Sequence, residues 1–216
     1  MADLNRDRFQ ILSLDGGGIK GLFSAALLAK LEEDLQVNVA SHFDLITGTS
    51  TGGIIALALG KGLSPQQIVD FYVRLGPKIF GRRRLLRRVR WLFSRKYPQD
   101  ELGAALRECF GDTTVGESRK RLVIPSYNVG NDQVYVIKTP HHTRLMRDGR
   151  QPMWTAALAT SAAPTYFPSC QVIDGMRLID GGVWANNPTM VGLVEALTLL
   201  EIPIGSVRVL RGCLKT

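Results

Sequence analysis

Two short apolar runs in this chain each stop at a glycine-rich turn, and each turn opens onto a helical pattern. Residues 9–14 (FQILSL) end at Asp15-Gly16-Gly17-Gly18, and residues 43–47 (FDLIT) end at Gly48-Thr49-Ser50-Thr51-Gly52-Gly53. After the first turn, Leu22, Ala25, Ala26, Ala29 and the leucines at either end of residues 31–35 supply an apolar helical stripe. After the second, residues 52–59 are small and apolar, as a helix lying close against a sheet requires. Ser64-Pro65 then offers an N-cap and a first-turn proline for a helix through residue 75. Strand, turn and helix used twice in succession call for crossover connections, which leave strands parallel and helices on the faces of the sheet.

The rest of the chain fits that frame. Residues 122–139 hold two β-rich runs around Gly130-Asn131-Asp132, a hairpin or two neighbouring strands. Residues 153–160 read as a helix stopped before Pro164, and short β runs follow at 170–173 and 178–179. Asn187-Pro188 starts another helix through about residue 200, and residues 207–210 form a last strand. The expected fold class is α/β with a mainly parallel sheet, in one domain over residues 1–216.

Composition narrows the setting. Residues 1–10 lack the apolar core of a secretory signal, and no apolar run approaches the roughly 20 residues needed to cross a bilayer. Cys109, Cys170 and Cys213 show neither a disulfide framework nor zinc-ligand spacing, which fits a reducing cytosol. The net charge of +8 is local: of 27 basic residues, eight lie at Arg82, Arg83, Arg84, Arg87, Arg88, Arg90, Arg95 and Lys96, and the remaining 19 equal the acidic ones.

Gly48-Thr49-Ser50-Thr51-Gly52 matches a G-x-S-x-G nucleophile elbow in the context that pattern needs, between strand and helix. Small flanks leave the hydroxyl exposed, and the helix start aims an N–H and the positive dipole end at a developing oxyanion. The consecutive glycines of Asp15-Gly16-Gly17-Gly18-Ile19-Lys20-Gly21 can turn several N–H groups toward one point, as an oxyanion hole requires. Gly16, Gly18 and Gly21 also satisfy G-x-G-x-x-G, so a dinucleotide-binding module is the competing reading. Against it, the next strand ends in Gly48-Thr49-Ser50 rather than in an acid for the ribose. The three histidines, His42, His141 and His142, all precede Asp180, so the order Ser, acid, His of α/β-hydrolases is not available. A carboxylate must then take the serine proton directly, and Asp180, in Asp180-Gly181-Gly182, is the leading candidate.

In order and spacing, these two glycine motifs, Ala159-Thr160-Ser161-Ala162-Ala163-Pro164 and Asp180-Gly181-Gly182 resemble the patatin-like phospholipase family. The resemblance implies a three-layer α/β/α sandwich carrying a Ser-Asp dyad that acts on ester bonds of phospholipids or other acyl lipids without metal or organic cofactor. By motif, Ser50 takes the nucleophile role and Asp180 the base, with Gly16, Gly17, Gly18 and the Thr51 amide holding the oxyanion. Residues 14–21 with Leu22-Phe23 are also similar to bacterial effectors of antiphage defence, which implies a cyclic-nucleotide activator. The family core continues beyond the strand at 207–210, so truncation at the C-terminus and an inactive homologue form a further alternative.

The segment 82–96 sets Leu85, Leu86, Val89, Leu92 and Phe93 at helical spacing among arginines, a basic amphipathic helix in pattern. Arg83, Arg84, Arg87, Arg88, Arg90 and Trp91 are therefore the membrane-contact candidates, each cation contributing about 1 kcal/mol at an anionic surface. The apolar stripe favours lipid over nucleic acid, and the expected place of action is the cytoplasmic face of the inner membrane.

Overall fold

The computed structural model describes residues 8–80, 99–164, 169–171 and 173–212. The basic segment 82–96, with every membrane-contact candidate in it, lies outside the described residues, as does Cys213.

Both strand-turn-helix units form as their sequences dictate. Strand β1 (Phe9–Leu14) leads through a 3-10 turn into α1 (Gly21–Leu35), and β2 (Leu45–Gly48) leads through Ser50 into α2 (Thr51–Lys61). Helix α3 (Pro65–Phe80) starts with a reciprocal cap: the Gln67 amide donates to Ser64 Oγ at 3.2 Å, and the Ser64 amide donates to Gln67 Oε1 at 2.9 Å. It runs through Pro77 to Phe80 rather than ending at residue 75. Helix α4 (Gln99–Phe110) follows, then the antiparallel pair β3 (Arg121–Asn128) and β4 (Gln133–Lys138), α5 (Met153–Ser161), β5 (Leu178–Asp180), the single turn α6 (Gly182–Ala185), α7 (Thr189–Thr198) and β6 (Val207–Gly212). Of the run expected at 170–173, Cys170 forms an isolated bridge to Leu178, and β5 carries the strand pairing.

The sheet order is β4-β3-β2-β1-β6, parallel from β3 through β6. Alternation along each strand sorts its side chains into two layers. Leu12, Leu14, Ile46, Leu122 and Ile124 face the large cluster built with α1 to α5. Ile11, Leu45 and Val123 face the other way, against Ala196 of α7. The result is the expected three-layer sandwich with a mainly parallel sheet.

One edge of β3 decides where chemistry can happen. Strand β4 occupies one edge of β3 from Val123 to Asn128. The other edge is shared: β2 pairs with residues 121–123 and then turns away, and β5 takes up the vacated pairing at residues 126–128. β5 therefore enters the sheet in line with the end of β2.

Candidate active site

That succession brings Ser50 and Asp180 together. Thr47 stands opposite Val123, so Ser50, three residues on, reaches the level of Ser126, and Asp180 stands opposite Ser126 on β5. The Ser50 hydroxyl and the Asp180 carboxylate line the same cavity, close enough for the hydroxyl to act on the carboxyl pKa.

Ser50 sits at φ 56°, ψ −123°, a conformation costly for any residue but glycine, and it is the N-cap of α2. The surroundings hold it there. Its amide donates to Thr160 Oγ1 at 3.1 Å, and Thr160 Oγ1 in turn donates to the Pro125 carbonyl at 2.6 Å. The preceding Thr49 hydroxyl donates to the Ala185 carbonyl at 2.7 Å. Gly52 is required where α2 crosses the end of β1: a Cβ there would strike the Leu14 carbonyl.

Asp180 is 5% exposed, and one carboxylate oxygen accepts the Gly182 amide at 2.7 Å. Burial drives its pKa above the ordinary 3.8, because the charged form loses water; the bonds from Ser50 and Gly182 counter only part of that rise. A carboxylate so placed is a stronger base than one in solvent.

Beside the pair, the glycine loop turns through Gly18 at φ +57°, the left-handed region open to glycine. The amides of Gly17 and Gly18 have no backbone acceptor among the described residues, and Thr51 begins α2, where helix amides are unsatisfied. Gly16 differs from the sequence expectation. Its amide donates to the Asn186 carbonyl at 2.9 Å, and a Cβ on it would sit 2.5 Å from Asn186 Oδ1, so it ties the loop to the segment after Asp180 instead of offering a free donor. Gly21, third glycine of the dinucleotide-like spacing, is explained by packing: a Cβ there would come within 2.9 Å of Thr51 Cβ.

Ser50, Asp180, Gly17 and Gly18 open into a cavity of about 500 Å³ whose walls include Ile54, Leu102 and Val183. Its lining carries one buried carboxylate, Asp180, with Ser50, Thr51, Ser161 and Asn186 among otherwise apolar and glycine residues, a shape suited to an acyl chain with its ester at Ser50. His141, by contrast, follows β4 at the opposite end of the sheet, bonded to Thr139 and Glu195. Among the described residues no group of three or more His, Cys, Asp and Glu side chains converges, and no helix is long and apolar enough to cross a membrane. Thr160, Thr49 and Asn186 were not singled out by sequence, although Thr160 stands in the Ala-Thr-Ser-Ala-Ala-Pro motif.

The family model of patatin-like phospholipases matches residues 12–193. The chain is 40% identical over 194 residues to a cGAMP-activated phospholipase of Pseudomonas aeruginosa, covering 89% of this chain and 58% of that protein. It is 37% identical to a cGAMP-activated phospholipase of Vibrio cholerae, covering 88% and 58%, and 36% identical to patatin-like protein 4 of Arabidopsis thaliana, covering 85% and 51%. It thus spans a little over half the length of these curated relatives. Among solved structures, VipD from Legionella pneumophila superposes with a TM-score of 0.55 at 14% identity, covering 95% of this chain and 50% of that one, a likeness of fold.

Proposed function

As this chain belongs to the patatin-like phospholipase family, we propose that it is a lipid acyl hydrolase that cleaves ester bonds of membrane phospholipids through Ser50 and Asp180. The observation that carries the reading is the approach of the Ser50 hydroxyl to the buried Asp180 carboxylate in one largely apolar cavity. Ser50 Oγ attacks the ester carbonyl carbon while its proton passes to Asp180. The negative charge that forms on the carbonyl oxygen is met by the amides of Gly17, Gly18 and Thr51 at the positive end of α2. Gly16 supports that loop through Asn186. Collapse expels the alcohol portion, which takes the proton from Asp180 and leaves an acyl-serine. Water then attacks the acyl carbon as Asp180 takes its proton; collapse releases the fatty acid and returns that proton to Ser50.

Exposed apolar side chains support lipid access. Ile19 lines the cavity mouth, and Phe23 and Leu27 continue the same row at four-residue spacing along α1, exposed by 45%, 55% and 45%. The basic segment 82–96 with Arg83, Arg84, Arg87, Arg88, Arg90 and Trp91 is a second contact with anionic lipid at the inner membrane face. Two relatives are named cGAMP-activated phospholipases, which supports a cyclic-nucleotide activator and a role in antiviral defence for this chain.

The test is fatty-acid release from phospholipid vesicles of low and high anionic content by the wild-type chain and Ser50→Ala. Serine-dependent release is expected, stronger on anionic vesicles. A folded wild-type chain that releases no more fatty acid than Ser50→Ala, with and without cyclic GMP-AMP, overturns the reading.

A further inference from the structure

At the end of the sheet remote from Ser50, a second cavity of about 320 Å³ opens where β2 and β3 begin. Its wall carries Arg119, Lys120 and Arg121 against a single carboxylate, Asp44. The cations are held in different ways. Lys120 Nζ donates to the Phe43 carbonyl at 3.1 Å and Arg121 Nη1 to the Asp44 carbonyl at 3.3 Å, so both heads are fixed beside the start of β2. The Arg119 side chain has no hydrogen-bond or ion-pair partner among the described residues; its guanidinium lies over Gly62, where a Cβ would meet Nη1 at 2.6 Å. Asp44 Oδ2 accepts the Gln10 amide at 2.8 Å, and its one negative charge is outnumbered by the three cations of the lining. The opposite wall is polar: Ser41 and His141 line it, and His141 is held by Glu195 at 3.0 Å.

We propose that this cavity is an anion site that takes a phosphate group, with the Arg119 guanidinium as the recruiting contact and Lys120 and Arg121 as fixed cations behind it. Three cations from successive residues, one of them unpaired and planar, match a phosphate's several acceptor oxygens, which an arginine fork can bind in pairs. The site is separate from the hydrolase dyad. Six residue steps separate Asp44 from Ser50 along β2 and the turn after it, roughly 20 Å at strand pitch. The inference goes beyond the hydrolase reading and stands without it. Because β2 ends in the nucleophile turn, a ligand bound at its start sits on the same strand that positions Ser50.

Phosphate could arrive in a soluble ligand or in a lipid headgroup, and one set of measurements separates the two. Amide shifts of the isotope-labelled chain are followed on titration with sodium pyrophosphate and with cyclic GMP-AMP. Binding to phosphatidylglycerol vesicles is measured alongside, for wild type, Arg119→Glu and Ser41→Glu. Wild type is expected to show saturable shifts confined to residues around Gly116, Ser118–Arg121 and Ser41 with at least one soluble probe, and affinity falling about tenfold or more in both variants. Vesicle binding that drops in both variants, with no response to either soluble probe, assigns the same phosphate chemistry to a headgroup. Shifts elsewhere, or binding to all three probes unchanged in Arg119→Glu and Ser41→Glu chains that melt like wild type, overturn the proposal. The wild-type shift map decides it even if a variant fails to fold.

Discussion

Arg211 on the last strand grips Asp15 at the root of the glycine loop: Nη2 donates to Oδ2 at 2.5 Å, and Nε reaches the two carboxylate oxygens at 3.2 and 3.1 Å. The Asp15 amide also donates to the Gly212 carbonyl at 3.3 Å. The loop whose amides face Ser50 is thus anchored from β6, a strand that contributes nothing to the cavity wall. A planar guanidinium fixes a carboxylate's orientation as a point charge does not.

Arg211→Ala is expected to lower kcat for ester hydrolysis by about tenfold or more with little change in KM, since it loosens donors aimed at the transition state. Arg211→Lys recovers part of that loss. Steady-state kinetics on a soluble acyl ester give the split; a change in KM alone would assign the bridge to substrate binding.

Asp180→Asn is expected to cost about 100-fold or more in kcat. Because the folded-state pKa of Asp180 is raised, its protonated form favours the fold. The contribution is complete below the unfolded carboxyl pKa near 3.8 and is lost as pH rises through the folded value. Removing the charge should therefore stabilise the chain at pH above that value, with the gain shrinking toward acid. Urea unfolding of both proteins across that window checks the sign. The same titration sets the acid limb of kcat/KM, which should fall at a pH above the ordinary 3.8 of an aspartate.

Ser50→Gly should abolish turnover yet raise stability by about 1 kcal/mol, because glycine adopts the positive φ without strain. Equal denaturation midpoints for Ser50→Gly and Ser50→Ala would mean that the turn stores no such strain.

Gly52→Ala should destabilise by on the order of 1–3 kcal/mol, since the methyl group meets the Leu14 carbonyl rather than a side chain that could swing away. Thermal unfolding measures this directly.

Glu195, 5% exposed on α7, accepts Lys138 Nζ at 2.5 Å and contacts His141 Nε2 at 3.0 Å. Burial pushes its pKa up, but the bonds from His141 and Lys138 outweigh that, leaving it below the usual 4.5. The contribution of the ionised form is present above the unfolded value and lost as pH falls through the folded one. Glu195→Gln should therefore cost about 1–3 kcal/mol near neutral pH and progressively less below pH 4.5, read from paired denaturation curves.

Much of this was legible in the residues. The strands before Asp15 and Gly48, the hairpin around Gly130-Asn131-Asp132 and the capped start at Ser64-Pro65 carry strong local signals, and local signals survive in the fold. The helix Gln99–Phe110 was equally present in the spacing of Leu102, Ala105, Leu106 and Phe110, all buried, and passed unread beside the basic run. What no window of sequence could supply was the partner of each polar group. Gly16 looked like an anion donor because glycine amides are exposed in general; only the approach of Asn186, 170 residues on, commits its N–H elsewhere. Thr160 likewise became part of the nucleophile turn through a contact 110 residues away.

The two strands that follow one another along a single side of β3 have a consequence for how such a site can vary. The separation of Ser50 and Asp180 follows the backbone pitch of β3, the spacing of Val123 and Ser126. Loops between residues 50 and 178 can change length without changing that spacing only where they leave β3 and the Thr160 contact in place. A single-residue insertion between Val123 and Ser126, however, would turn Asp180 to the opposite face of the sheet and separate it from Ser50 at one stroke.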